Sequence, residues 1–113
     1  MSQPSGVLAE LMRVIEVRKA TRPANSYTTK LLDGGVEKIG AKITEEAAEV
    51  VEAAAEPGTA GSEHLIREAA DLIYHLLVML ALRDVQLTQV EAELARRFGI
   101  SGLDEKASRP PKP

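Results

Sequence analysis

Two acidic segments, Glu45-Glu46-Ala47-Ala48-Glu49 and Glu68-Ala69-Ala70-Asp71, constrain this chain more than any other feature. Glu46 and Glu49 stand three residues apart, as do Glu68 and Asp71. On an α-helix that spacing places two side chains on one face, so each segment presents a pair of carboxylates from one side. Apolar residues surround both pairs, and a carboxylate taken out of water costs free energy unless something compensates it. Pro57, Gly58 and Gly61 lie between the segments and break the helix there. If the two helices face each other, four carboxylates converge, and they repel one another unless a cation or protons neutralise them. Oxygen-only ligands point to a hard cation, Mg2+ or Mn2+. The plainer alternative is a pair of solvated helix faces.

The remaining sequence supplies helices to carry these groups. Aromatic residues make up only 3% of the 113 residues and Trp is absent, against a hydrophobic content of 44%. Leu, Ile, Val and Ala must therefore do the packing, which suits helices. Apolar residues recur at helical spacing from Gly6 to Lys19. Pro23 and Asn25 break that helix, and Ser26 to Leu32 reads as a polar loop or short turn. Asp33 is the expected N-cap of a second helix running to Ala55, with Val36, Ile39, Ile43, Ala47, Val50 and Ala54 as its apolar stripe. Ser62 is the expected N-cap of a third, ending near Arg83, and Thr88-Gln89-Val90-Glu91 matches a capping box opening a fourth that ends near Phe98. The expectation is one all-α domain over residues 1–98, a bundle of four main helices, followed by an irregular tail over residues 99–113. From Leu72 to Leu82 the third helix is apolar nearly all round, apart from Tyr74 and His75. A helix apolar on all sides is buried on all sides, and one short chain offers few neighbours for it, so a homodimer interface is expected there.

Composition excludes several classes of function. A net charge of −3 argues against a general nucleic-acid binder. Without cysteine there is no disulfide framework, thiolate metal site or Cys nucleophile. The longest apolar run, Leu76 to Leu82, is too short to span a bilayer, and Glu10 and Arg13 stand where a signal peptide needs an apolar core. A cytoplasmic protein with no membrane partner is expected. No Glu-x-x-His pair is present, which disfavours the usual di-iron pattern. Nor does the chain contain a nucleophile elbow, a P-loop or a Gly-x-Gly-x-x-Gly fingerprint.

On a helical projection His64, Glu68, Asp71 and His75 share one stripe. Lys42, Glu46, Glu49 and Ala53 share another, with Glu45 and Lys38 beside it. Carboxylates on these stripes would hold Mg2+ while lysines meet phosphate; alternatively Lys38 and Lys42 are surface partners of Glu45, Glu46 or Glu49. His75 reads either as a donor that orients Asp71 or as a core histidine with its bonds satisfied.

The pattern Glu45-Glu46-x-x-Glu49 followed by Glu68-x-x-Asp71 resembles the signature of the MazG-like all-α nucleotide pyrophosphatases. The segments Ser26-Tyr27-Thr28-x-Lys30-Leu31-Leu32, Gly34 to Lys42, Ala69 to Leu77 and Gly99 to Arg109 are similar to those of the phosphoribosyl-ATP pyrophosphatases within that superfamily. The resemblance runs from Leu8 to Arg109. It implies a dimeric MazG-like bundle that hydrolyses phosphoribosyl-ATP to phosphoribosyl-AMP and pyrophosphate, the second step of histidine biosynthesis. It implies Mg2+ on Glu46, Glu49, Glu68 and Asp71, with Glu45 a further ligand, a water-orienting group or a base, so that Glu45, Glu46 and Glu49 form the catalytic set. Substrate contacts are expected from Lys30, Lys38 and Lys42, from Arg22 more weakly, and from Ser26, Tyr27 and Thr28, with Tyr27 stacking on a base or simply packing. The cyclohydrolase domain of bifunctional relatives has no counterpart in the sequence, so the pyrophosphatase step alone is expected. Two other readings stay open: a housekeeping (d)NTP pyrophosphatase of the same superfamily, and a non-catalytic helical dimerisation module.

Overall fold

A computed structural model describes residues 6–110. Within them five helices follow one another without a strand: α1 (Val7–Thr21), α2 (Tyr27–Ala55), α3 (Gly58–Leu82), α4 (Leu87–Arg96) and α5 (Gly102–Ser108). Only Glu56 and Pro57 separate α2 from α3, so the two turn back on each other as an αα-hairpin and make the principal packing of the molecule. α1 lies against both. The core draws Met12 and Ile15 from α1, Leu31, Leu32 and Ile39 from α2, and Leu77, Val78 and Ala81 from α3. No helix among the described residues is long and apolar enough to cross a membrane.

Several expected boundaries move, each for a local reason. Ser26 to Leu32 is helix, not loop: Ser26 is extended and its Oγ accepts the Thr29 N–H at 3.2 Å, which makes it the N-cap of α2. Asp33 is therefore an interior residue, and its Oδ1 accepts from Arg22 Nη1 at 2.7 Å. The helix start expected there falls inside the element, where Gly35 has φ 70° and ψ −162° and kinks α2. α3 opens at Gly58, before Ser62. The capping box of α4 is formed by Gln86 and Gln89, two residues ahead of the Thr88–Glu91 pair of the same spacing. The segment expected to be an irregular tail contains α5, capped by Ser101, whose Oγ accepts the Asp104 N–H at 3.1 Å.

Two polar clusters join distant parts of the chain. Lys19 Nζ donates to the carbonyl of Ala81 at 2.7 Å and pairs with Asp84, satisfying the C-terminal end of α3 from α1. Glu105 of α5 is buried against Arg96 at 2.7 Å and Arg109 at 3.4 Å. The hydrogen bond from Arg96, then that from Arg109, hold its carboxyl below the usual carboxylate range.

The conformation of Gly35 lies in a backbone region that side chains with a β-carbon essentially do not enter. Gly35→Ala should destabilise the fold by about 1–3 kcal/mol, the usual cost of such strain. Urea unfolding measures this. An unchanged midpoint and slope would show that the kink does not depend on glycine.

Candidate metal centre

The two acidic pairs meet in the crease between α2 and α3. One carboxylate oxygen each from Glu46, Glu68 and Asp71 lies within 4.8 Å of the others. Glu46 is 5% exposed. Burial pushes its carboxyl above the ordinary range, the negative charges of Asp71 and Glu49 push the same way, and His75 opposes them. Glu49 belongs to the same group. Its carboxyl is raised first by hydrogen bonding with Glu68, then by desolvation and the charges of Glu68 and Glu45.

Glu68 Oε2 is buried with no hydrogen-bond partner. Its other oxygen lies 3.6 Å from His64 Nε2, while His64 Nδ1 bonds Glu56 at 2.9 Å. A buried oxygen with free lone pairs, on a side chain grouped with two further carboxylates, is a cost that a cation removes. The donors are all oxygen, and no thiolate is present in the chain, so the set fits a hard divalent ion better than a soft one.

Around this centre the expected substrate residues divide. Lys42 lies 3.1 Å from Glu45 and 3.9 Å from Glu46, at the rim of the crease. Lys30 and Lys38 are exposed. Arg22 pairs with Asp33 and not with any carboxylate of the cluster. Ser26 and Thr28 have partners within the fold. The Ser26 hydroxyl caps α2, and Thr28, buried at 2% exposure, bonds the Tyr74 hydroxyl at 2.6 Å.

Tyr27 stays 48% exposed and stacks on Tyr74 at 6.2 Å between ring centroids. Its hydroxyl is 2.9 Å from His75 Nε2. Desolvation raises its pKa, the Lys42 charge works against that, and Glu46 and Glu45 add to it. The first turn of α2 is therefore folded back beside the middle of the same helix, which the Gly35 kink makes geometrically accessible. Sequence reasoning missed Tyr74 and Glu56. A Tyr-His pair inside an otherwise apolar run is the one signal for Tyr74, and nothing local marks Glu56 as the partner of His64.

Known proteins resemble this chain along nearly all of its length. The family model for phosphoribosyl-ATP pyrophosphohydrolase matches residues 8–98, a span that includes both acidic segments and the first turn of α2. A phosphoribosyl-ATP pyrophosphatase of Rhodopirellula baltica is 59% identical over 105 residues, covering 93% of this chain and 88% of that protein. One from Dinoroseobacter shibae is 54% identical over 103 residues, covering 91% and 98%. Another, from Paramagnetospirillum magneticum, is 50% identical over 112 residues, covering 99% and 100%.

The raised carboxyl of Glu46 has a definite consequence for stability. A carboxyl whose folded-state pKa lies above its unfolded value stabilises the fold at low pH, and that contribution is lost as pH rises through the folded value. Glu46→Gln removes the loss. At neutral pH, without divalent ions, the variant should melt at or above the wild-type temperature, and the gap should close on the acid side of the carboxylate range. Added Mg2+ should raise the wild-type melting temperature and leave the variant's nearly unmoved. Equal Mg2+ responses in thermal scans would remove the basis for a metal at these carboxylates.

Proposed function

Because the chain belongs to the phosphoribosyl-ATP pyrophosphohydrolase family, we propose that Glu46, Glu49, Glu68 and Asp71 hold the Mg2+ on which its reaction runs, with Mn2+ able to take the same place. The protein is a hydrolase that splits a phosphoanhydride, converting phosphoribosyl-ATP to phosphoribosyl-AMP and pyrophosphate in the second step of histidine biosynthesis. The observation that carries the metal reading is the convergence of three carboxylates within 4.8 Å, reinforced by the unpartnered Glu68 oxygen.

Phosphoanhydride hydrolysis needs charge neutralisation and a placed water more than a covalent nucleophile. When bound, Mg2+ supplies that neutralisation and lowers the pKa of a coordinated water. The protein's own groups do the rest. Glu45 is exposed at the edge of the cluster, where it orients a water or takes its proton. Lys42, now paired with Glu45, exchanges that partner for a phosphate oxygen. Lys38 lies one turn earlier on the same helix and serves the same polyphosphate. Lys30, with Arg22 behind it, faces the additional phosphate that phosphoribosyl-ATP carries on its second ribose. Ser26 and Thr28 build the turn that presents Lys30 and the Tyr27 ring. The reaction belongs to the cytoplasm, and the charge of −3 speaks against nucleic acid as a partner.

We further place the working unit as a homodimer. Ile73 and Leu76, within the apolar stretch of α3, are 39% and 45% exposed; Ile66 of α3 and Val51 of α2 are 69% and 71% exposed. Ile66, Ile73 and Leu76 recur at helical spacing on α3, an uncovered apolar stripe that a second copy would bury. Leu76→Asp, at a half-exposed position of the single chain, should convert a dimer to a weakly associating form in sedimentation. A wild-type monomer at all concentrations would refute the dimer.

Substrate choice tests the enzyme reading. Wild type should turn over phosphoribosyl-ATP in preference to ATP, with pyrophosphate release dependent on Mg2+. Lys30→Ala should cost phosphoribosyl-ATP a charged contact, about 1.5–3 kcal/mol or roughly ten- to a hundredfold in kcat/KM, with little effect on residual ATP turnover. Glu46→Gln should abolish both. A preference for ordinary nucleoside triphosphates would instead indicate a housekeeping pyrophosphatase.

A further inference from the structure

The first turn of α2 is fastened to α3 by two side-chain bridges from adjacent residues. Thr28 Oγ1 meets the Tyr74 hydroxyl at 2.6 Å, and the Tyr27 hydroxyl meets His75 Nε2 at 2.9 Å. The second bridge continues. His75, 4% exposed, has Nδ1 at 2.8 Å from the backbone carbonyl of Asp71 and at 3.5 Å from Glu46 Oε1. A carbonyl oxygen only accepts, so Nδ1 carries a proton. In a neutral imidazole Nε2 is then an acceptor, and the Tyr27 O–H donates to it. One chain of hydrogen bonds thus runs from a partly exposed tyrosine through a buried histidine to the turn that bears Asp71, and the same ring nitrogen stands 3.5 Å from the side chain of Glu46.

We propose that Tyr27 and His75 are positioning residues for the carboxylate centre. Tyr27 fixes the imidazole as its Nδ1–H tautomer, and the imidazole fastens the Asp71 turn beside Glu46, so that both carboxylates can face one cation. The proposal rests on the metal reading above and adds a role for two residues that need not touch the ion. Partners of metal ligands fix ligand orientation in this way, and losing one costs roughly 10- to 100-fold in metal affinity. The placement also gives the Gly35 kink a purpose: an unbroken α2 would carry Tyr27 away from His75.

The protein has two histidines, so proton–nitrogen NMR can assign the His75 ring in the ion-free protein. The Nδ1–H form is expected. The Nε2–H form would overturn the proposal. Mn2+ binding followed by electron paramagnetic resonance gives the second measurement. Tyr27→Phe keeps the ring and deletes only the donor, and it should weaken Mn2+ by roughly 10- to 100-fold. His75→Leu should do at least as much. His75→Asn, whose amide N–H stands near the place of Nδ1, should recover most of the affinity. Tyr74→Phe breaks the neighbouring bridge and should leave Mn2+ affinity unchanged. Equal affinity in wild type, Tyr27→Phe and His75→Leu would overturn the positioning role. So would an equal loss in Tyr74→Phe, which would mean general loosening. Failure of wild type itself to bind Mn2+ would overturn the metal reading, and this proposal with it.

Discussion

Mutual repulsion among carboxylates that have been partly removed from water is the constraint around which this protein is arranged. Glu46 is buried, Glu49 and Glu68 are half-buried and Asp71 is exposed; left to themselves they would separate and hydrate fully. They are held together because the helices that carry them are joined by two residues and share an apolar seam of Ile39, Leu77 and Val78. Packing free energy from that seam offsets the electrostatic cost, and the raised carboxyls of Glu46 and Glu49 are its trace. The fold thus maintains a region poorer in positive charge than it should be, which is what makes it receptive to a cation.

The same logic explains the surroundings of the cluster. Lys42 and His64 lie close enough to temper the charge, at 3.9 Å from Glu46 and 3.6 Å from Glu68, yet neither is close enough to satisfy it. A tight ion pair at either place would have closed the site with the protein's own cation. Charges of opposite sign also meet at the rim, where Lys42 is paired with the exposed Glu45.

The pairing of the carboxylates is legible in the amino-acid sequence alone, since i and i+3 positions report directly on one helix face. The three long helices are legible for the same reason. What escapes is governed by contacts between residues far apart in sequence. Asp33-Gly34-Gly35 reads locally as a helix start, and only the tertiary fold turns Gly35 into a kink within a helix that Ser26 has already opened. Thr28 reads as a loop hydroxyl until Tyr74, 46 residues on, claims it. Thr88-x-x-Glu91 fits the capping-box pattern in the sequence, yet α4 opens two residues earlier on Gln86 and Gln89. α5 is too short and too close to prolines to show a period, although Ser101 is a readable cap.

The clasp between Lys19 and the end of α3 spans 62 residues of sequence, and that distance has a kinetic meaning. The α2–α3 hairpin assembles from near neighbours, so it is the natural early structure of folding. Bringing Lys19 to the Ala81 carbonyl closes a far longer loop, and its entropic cost defers it until the hairpin is in place. An interaction made after the rate-limiting step scarcely changes how fast the chain folds, yet it must be broken before the chain unfolds. A clasp made that late lengthens the lifetime of the folded protein by the same free energy that it adds to stability, because the folding rate scarcely registers it.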